Sequence, residues 1–309
     1  MVIFNAADEP LPRLAPRRAD SHKGDYGRVL ILGGSRGMAG APALAGMAAL
    51  RSGAGLVTIA TAASVQSTVA ALNACIMTVP LVDDDDGIVD LANIVDLAAA
   101  RDRFDAWAVG PGLGQSEGVA ELVAQLYREV PGPMVVDADG LNGLAAALRR
   151  NPQALNNPAG PRILTPHPGE FTRLMGVAVE GEAADRAELA ARLARLDDSG
   201  KTVVILKGHE SVVCDGRRYA VNQTGNPGMA TGGTGDCLTG VAAALLGQGL
   251  DAWEAARLAA HVHGLAGDLA AEALGQVSLT ASDVIDFLPP AFKTVQAATG
   301  GRIGFAGNA

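Results

Sequence analysis

Arg28-Val29-Leu30-Ile31-Leu32-Gly33-Gly34-Ser35-Arg36-Gly37-Met38-Ala39-Gly40 leads into residues 41–52 and then into Leu56-Val57-Thr58-Ile59-Ala60. The first five residues are a short run of strand formers. The run stops at glycines, and Leu44, Met47, Ala48 and Leu50 then recur at helical spacing until Gly53-Ala54-Gly55 ends the helix. Strand, glycine loop, helix and strand make a βαβ unit, which implies parallel pairing and a right-handed crossover.

The same grammar continues outward. Residues 76–79 read as a strand, and the acidic run 83–86 reads as a solvated turn or a cation site. A helix over 91–100 precedes strand 106–109 and a second glycine loop, Gly110-Pro111-Gly112-Leu113-Gly114. Helix 117–129 follows, then strand 134–137 runs into Ala138-Asp139-Gly140-Leu141-Asn142. After a helix to Arg150, residues 162–164 reach Thr165-Pro166-His167-Pro168-Gly169-Glu170. Helix 183–197 and strand 202–206 lead to Lys207-Gly208-His209-Glu210-Ser211, and 212–214 with 218–221 form a hairpin about Asp215-Gly216-Arg217. Two largely apolar helices, about 236–247 and 252–274, precede shorter ones to about 298. The pattern predicts an α/β protein: three α/β/α layers, doubly wound on a mostly parallel sheet, with glycine loops at the carboxyl edge where such sheets bind ligands. One domain is expected over 23–298, with a loosely packed arm at 1–22 and a mobile tail at 299–309.

Composition narrows the function. Of 309 residues 49% are apolar and 4% aromatic, which favours close-packed helices on a parallel sheet over an aromatic-rich sandwich. A formal charge of −9 without a basic stripe argues against nucleic acid as a partner. Cys75, Cys214 and Cys237 show no metal or redox spacing and suit a reduced cytoplasm. The Pro- and Arg-rich start lacks the apolar core of a signal peptide, and no run of about 18 apolar residues spans a membrane. A cytoplasmic protein is expected.

The chemistry concentrates in 222–240. Gly232-Gly233-Thr234-Gly235 feeds the helical pattern Leu238, Val241, Ala242, Leu245, so glycines open onto a helix N-terminus whose free N–H groups and dipole attract anions. There is no Gly-Lys-Ser/Thr and no Gly-x-Gly-x-x-Gly, so the hole is expected to rely on backbone amides and a metal ion, most simply Mg²⁺. Asp236 sits at its mouth. The helix dipole favours the charged carboxylate, which makes a weak base. A phosphate beside a carboxylate nonetheless suggests phosphoryl transfer to an alcohol, where the base mainly orients the hydroxyl; the plainer alternative is a helix cap. Asp137 and Asp139, at a strand end, are candidate Mg²⁺ ligands or an Asx turn. His167, stiffened between two prolines, is a candidate substrate wall or a packed loop histidine. His261 and His263 are two apart on a helix and read as structural, and Cys237 reads as a small buried residue.

Taken in order, Gly33-Gly34-Ser35, the 110–114 loop, Val136-Asp137-Ala138-Asp139-Gly140-Leu141-Asn142, Thr165-Pro166-His167-Pro168-Gly169-Glu170, Lys207-Gly208 and the segment from Asn226 to Asp236 resemble the ADP-dependent NAD(P)H-hydrate dehydratase family, over about residues 23–288. The resemblance implies a ribokinase-like fold and repair of hydrated NADH or NADPH (NADHX or NADPHX), with the S epimer dehydrated using ADP as co-substrate, beside the Mg²⁺ cofactor expected from the anion hole. It implies that Asp236 activates the hydroxyl, that Ala41, Gly112, Gly114 and His167 hold the hydrate, and that Lys207, Gly208, His209, Glu210, Ser211, Gly233, Thr234 and Gly235 hold the nucleotide. Ser211 and Cys237 stand where many relatives carry Thr and an aliphatic residue, changes that roughly keep size. Some relatives carry an epimerase domain of about two hundred residues ahead of this one; 22 leading residues cannot hold it, so dehydration alone is expected. The family and the apolar C-terminal helices both lean towards a homotetramer. A vitamin-alcohol kinase of the same fold and a non-catalytic nucleotide sensor are the alternatives.

Overall fold

The computed structural model describes residues 3–297. In chain order its elements are β1 (Phe4–Asn5), β2 (Arg28–Leu32), α1 (Gly40–Arg51), β3 (Leu56–Ala62), α2 (Gln66–Leu72), β4 (Met77–Leu81), α3 (Ile94–Ala99), β5 (Ala106–Val109), α4 (Glu117–Glu129), β6 (Met134–Val136) and α5 (Ala138–Arg150). They continue with β7 (Arg162–Leu164), α6 (Pro168–Met175), α7 (Ala183–Ala194), β8 (Thr202–Leu206), β9 (Val212–Cys214), β10 (Arg218–Val221), α8 (Thr234–Gly247), α9 (Ala252–Leu274) and α10 (Ala281–Ala297). The tail expected at 299–309 lies outside the described residues.

The strands form one ten-stranded sheet in the order β1-β10-β9-β8-β7-β6-β5-β2-β3-β4. Within it only β9 runs antiparallel to its neighbours, β8 and β10. Helices α1, α8, α9 and α10 pack together on one face, and α4, α5 and α6 on the other, which gives the three expected layers. Burial on both faces explains why β5, β6 and β8 are apolar without alternation. β4 lies at the edge instead; Met77 and Val79 are exposed, and Pro80 is tolerated because an edge strand need not donate on both sides.

Chain order reverses between β2 and β5. From β2 the chain steps to β3 and β4, then returns to β5 on the other side and proceeds through β6, β7 and β8. The loops after β2 and β5 therefore diverge at a topological switch point, where open α/β sheets leave a crevice. α8 runs across that region. Residues from Cys237 to Leu246 are buried without a break, because the helix is covered by α1, α9 and the sheet. Its closest approach is at Gly240, where a Cβ would run into the Ala45 carbonyl of α1. Cys237 is fully buried and burial pushes its thiol pKa up, as suits a packing residue.

Two regions differ from expectation. The leading residues join the sheet: Phe4 N donates to Arg217 O (2.9 Å) and Ala6 N to Tyr219 O (2.8 Å). Glu9 then accepts from Arg218 Nη1 (2.9 Å), Trp253 Nε1 (3.0 Å) and Arg257 Nη1 (3.3 Å). At the other end, α10 is one helix through Pro289 and Pro290 rather than several short ones. The apolar faces of α9 and α10 are spent largely on each other and on α8 and α1.

Candidate active site

The ends of five strands, β2, β5, β6, β7 and β8, and the N-terminus of α8 converge on the carboxyl edge. β6 ends at Asp137, the N-cap of α5, and the next residue, Ala138, is held at φ 48°. A left-handed alanine costs roughly 1–2 kcal/mol. That strained turn places Asp137 and Asp139 on either side of it. Asp137 is buried: its Oδ1 accepts from Lys207 Nζ at 2.8 Å and its Oδ2 from Thr239 Oγ1 at 2.7 Å. Burial alone would raise its pKa, but Lys207 and these hydrogen bonds hold it below the ordinary value. Asp139 accepts from Gly114 N (3.0 Å), Gln115 Nε2 (3.0 Å) and Asn142 Nδ2 (3.2 Å). Asp137 and Asp139, the candidate Mg²⁺ ligands, thus both accept hydrogen bonds from protein donors. Among the described residues no three His, Cys, Asp or Glu side chains gather as a metal cage.

One correction concerns the anion hole. Lys207, at the end of β8, brings its ammonium beneath α8: a Cβ on Gly235 would lie 3.3 Å from Lys207 Nζ. A lysine distant in sequence therefore reaches the hole that local sequence left to amides and metal. Burial would lower the Lys207 pKa, but Asp137 and, at 3.8 Å, Glu170 push it up, so it is a cation held in place. Gly233 (φ 92°) makes the left-handed turn into α8, packed against Leu44 and Ala281. Thr234 Oγ1 lies 2.9 Å from Met229 O and 3.0 Å from Thr231 O, which pins the first turn to the preceding loop.

Asp236 is a second correction. Burial raises its pKa most, Asp137 adds to it, Lys207 opposes, and Asp139 and Glu170 add again, for a value of about 7. The helix dipole is outweighed by burial among carboxylates. A carboxyl at about 7 is half-ionised near neutrality, which is where a general base is most effective.

A cavity of about 430 Å³ opens beside this cluster. Lys207, Gly208, His209, Glu210, Ser211, Thr234 and Gly235, seven of the eight residues that the resemblance assigns to the nucleotide, line this one cavity; Gly233 is not in the lining and serves as the turn. The 207–211 loop is held by Arg186 of α7, whose guanidinium donates to His209 O and to Leu206 O (3.3 Å). Glu210, at φ 53°, is a second strained residue here. Sequence reasoning missed Arg186 and His263, and although it placed the chemistry in 222–240 it gave no role to Asn222, Thr224, Gly225 and Met229, which are cavity walls. A buried imidazole atom at His263 is the one signal that marks it, and only the fold supplies that.

Of the predicted hydrate residues, Ala41, Gly112 and Gly114 fall at the switch point, while His167 follows β7. A Cβ on Gly112 would lie 3.1 Å from Ala41 Cβ, so these two are neighbours, although Gly112 itself is buried. Ser35 Oγ donates to Gly112 O at 2.9 Å and Gly34 N to Pro111 O at 2.9 Å, which clamps the two glycine loops together. Gly114 reaches Asp139, as above, and borders a second cavity of about 410 Å³ with Gln115, Asn142, Arg149 and Arg150. His167 is neither packed nor free: its Nδ1 accepts from Gly169 N (3.0 Å) and Glu170 N (3.4 Å), capping α6, while the ring stays half exposed on the same edge. Burial and the nearby Lys207 lower its pKa, so the ring is neutral.

This sheet, switch point and lysine-backed helix N-terminus define an α/β protein of the ribokinase-like class. A ribokinase-like superfamily protein from Enterococcus faecalis superposes with a TM-score of 0.75 at 25% identity, covering 91% of this chain and 92% of that one. The sequence model described as NAD(P)H-hydrate dehydratase matches residues 29–290, and the chain belongs to that family. It is 45% identical over 288 residues to the bifunctional NAD(P)H-hydrate repair enzyme Nnr of Moorella thermoacetica, covering 93% of this chain and 52% of that protein. The chain thus spans about half the length of the curated relatives it matches. The ADP/ATP-dependent NAD(P)H-hydrate dehydratase of Bacillus subtilis, crystallised with ATP and Mg²⁺, matches with a TM-score of 0.75 and 34% identity, over 96% of this chain and 99% of that one.

Proposed function

We propose that the chain dehydrates the S epimer of hydrated NADH or NADPH to the reduced cofactor, consuming ADP and releasing AMP and phosphate. The observation that carries this is Asp236, a carboxyl with a pKa of about 7 at the mouth of an anion-accepting helix N-terminus, one residue past the cavity lining. Family membership favours the reading over a vitamin-alcohol kinase.

The residues divide the work as follows. Gly235, Thr234 and the 207–211 loop hold the nucleoside diphosphate in the 430 Å³ cavity with its terminal phosphate at the first turn of α8. Ala41, Gly112, Gly114 and His167 present the hydrate from the switch-point side. Ionised Asp236 accepts the proton of the C6 hydroxyl as its oxygen bonds to the β-phosphorus; the bond to AMP breaks and AMP leaves. The ring nitrogen lone pair then expels phosphate with the electrons of the C6–O bond, and loss of a C5 proton restores the double bond. Lys207, fixed by Asp137, offsets charge gathering beneath Gly235.

Mg²⁺ would travel with the nucleotide, since Asp137 and Asp139 already accept hydrogen bonds from protein donors. When bound it would neutralise phosphate charge. Its presence with ATP in the Bacillus subtilis crystals supports this placing. Among the described residues no helix is long and apolar enough to cross a membrane; a cytoplasmic homotetramer, one domain per chain, is part of the same proposal.

An orthophosphate assay tests the reading. Phosphate should appear only when ADP and cofactor hydrate are both present. A kinase would retain the phosphate on its product, and a sensor would turn nothing over.

A further inference from the structure

The 207–211 loop is fastened at both ends and held by little at its tip. Lys207 N donates to Pro166 O at 2.9 Å, and Asn222 N to Ser211 O at 2.8 Å. Gly208 N donates to Ser211 Oγ at 3.2 Å, and that hydroxyl donates back to Gly208 O at 3.0 Å. The tip is His209 and Glu210. Among the described residues it has one hydrogen bond to the rest of the protein, from the Arg186 guanidinium to His209 O. The same guanidinium donates to Leu206 O at 3.3 Å, and a Cβ on Gly208 would lie 3.0 Å from its Nη2.

The tip is nonetheless not relaxed. Glu210 sits at φ 53°, a left-handed conformation that a residue with a side chain keeps only where its surroundings impose it. Arg186 is the contact that imposes it.

Arg186 acts from behind the sheet. Successive residues of β8 face opposite sides. Ile205 lines the cavity, with Leu238 of α8 and Gly264 of α9. Thr202 faces the other way, where its hydroxyl meets Tyr127 of α4 at 3.2 Å and Asp197, just past α7, at 3.0 Å. α7, which carries Arg186, therefore covers the face of β8 away from the cavity, and Arg186 is not in the cavity lining. In a trans peptide the C=O and N–H point in opposite directions. Drawing His209 O back onto Arg186 thus turns the Glu210 N–H forward, towards the cavity. That amide donates to no group among the described residues, so it is open to a ligand acceptor.

We infer that Arg186 is a positioning residue for the nucleotide: it holds the tip of the 207–211 loop so that the Glu210 amide donates to an acceptor atom of the nucleoside diphosphate. This rests on the nucleotide reading of the cavity but not on dehydration.

Calorimetric titration with ADP of the unaltered chain, Arg186→Met and Arg186→Lys tests it, beside KM for NADHX at saturating ADP. Arg186→Met should bind ADP about tenfold or more weakly, the worth of one hydrogen bond to a charged group, while KM for the hydrate stays as it was. Arg186→Lys keeps the charge but lacks the planar fork that spans two carbonyls, so it should restore only part of the affinity. Unchanged ADP affinity in Arg186→Met overturns the inference, as does an equal loss on both ligands or full affinity in Arg186→Lys. If Arg186→Met does not fold, Arg186→Lys decides by the same titration, where weaker ADP binding sustains the inference. In the unaltered chain ADP should also slow hydrogen exchange of the Glu210 amide, and an amide left unprotected overturns the inference. No binding of ADP by the unaltered chain would refute the nucleotide reading and the inference with it. Loss of ADP affinity in Arg186→Met, in a protein that turns over no cofactor hydrate, would sustain the role of Arg186 and refute dehydration alone.

Discussion

Replacing Asp236 by Asn should make the protein more stable and nearly inactive, and both effects follow from one number. The carboxyl pKa rises from 3.8 to about 7 on folding. Between those values the unfolded chain is ionised at Asp236 and the folded one is protonated, so folding takes up a proton and stability falls as pH rises. The full rise corresponds to about 4 kcal/mol, and partial exposure brings this to about 2–4 kcal/mol. Asn carries no charge at any pH and keeps the shape. Asp236→Asn should match the unaltered chain near pH 4, gain steadily, and level off above pH 7. For a chain of this size the plateau is a melting temperature higher by roughly 3–6 °C. Turnover should fall at least about a hundredfold, because the acceptor of the hydroxyl proton is gone. In the unaltered enzyme kcat should climb through about pH 7 as Asp236 ionises. Calorimetric melts at pH 4.5 and 8, beside turnover of NADHX, read both arms. A melting difference that is the same at both pH values would refute the raised pKa. Near-normal turnover would leave Asp236 as a helix cap, since Asn also caps well.

Three further outcomes are expected. Buried Arg162 donates to the carbonyls of Tyr127, Val130, Gly132 and Pro161 at 2.6–3.0 Å, so Arg162→Met should leave orphaned carbonyls and lower the unfolding free energy in urea by about 3 kcal/mol or more. His167→Asn keeps a capping side chain at α6, so it should melt like the unaltered chain while raising KM for the hydrate more than it changes nucleotide affinity; equal loss on both ligands, or none, would remove His167 from the substrate wall. Excess EDTA should abolish turnover if Mg²⁺ travels with the nucleotide, and full activity in EDTA would refute it.

The alternation of apolar runs and glycine loops was enough to read the layers and most strands, because each βα unit carries its own punctuation. β9 and β10 are placed by their turn, and α4, β8 and α9 by uninterrupted patterning. What escaped depends on partners far away in the chain. β1 is two residues long, too short for periodicity, and is held by β10 and by Glu9 on Arg218 and Arg257. α10 continues through two prolines because it packs on α9 and α1, overriding propensity. The charge state of Asp236 was misjudged for the same reason. Its own sequence shows a helix N-terminus, while burial and the carboxylates of Asp137, Asp139 and Glu170, contributed by other loops, set its pKa. Lys207 could be named as a nucleotide residue, but only the sheet order shows that it reaches beneath Gly235. The role of Asp137 as its counter-ion was likewise invisible until both strand ends were placed.

The central claim is that the hydroxyl of the cofactor hydrate is phosphorylated before it leaves. NADHX carrying ¹⁸O in its C6 hydroxyl, incubated with ADP and the enzyme, tests it directly. The account predicts that the label is recovered in orthophosphate, one atom for each NADH formed, because the oxygen departs bonded to phosphorus. Label recovered in water, with unlabelled phosphate, would contradict it.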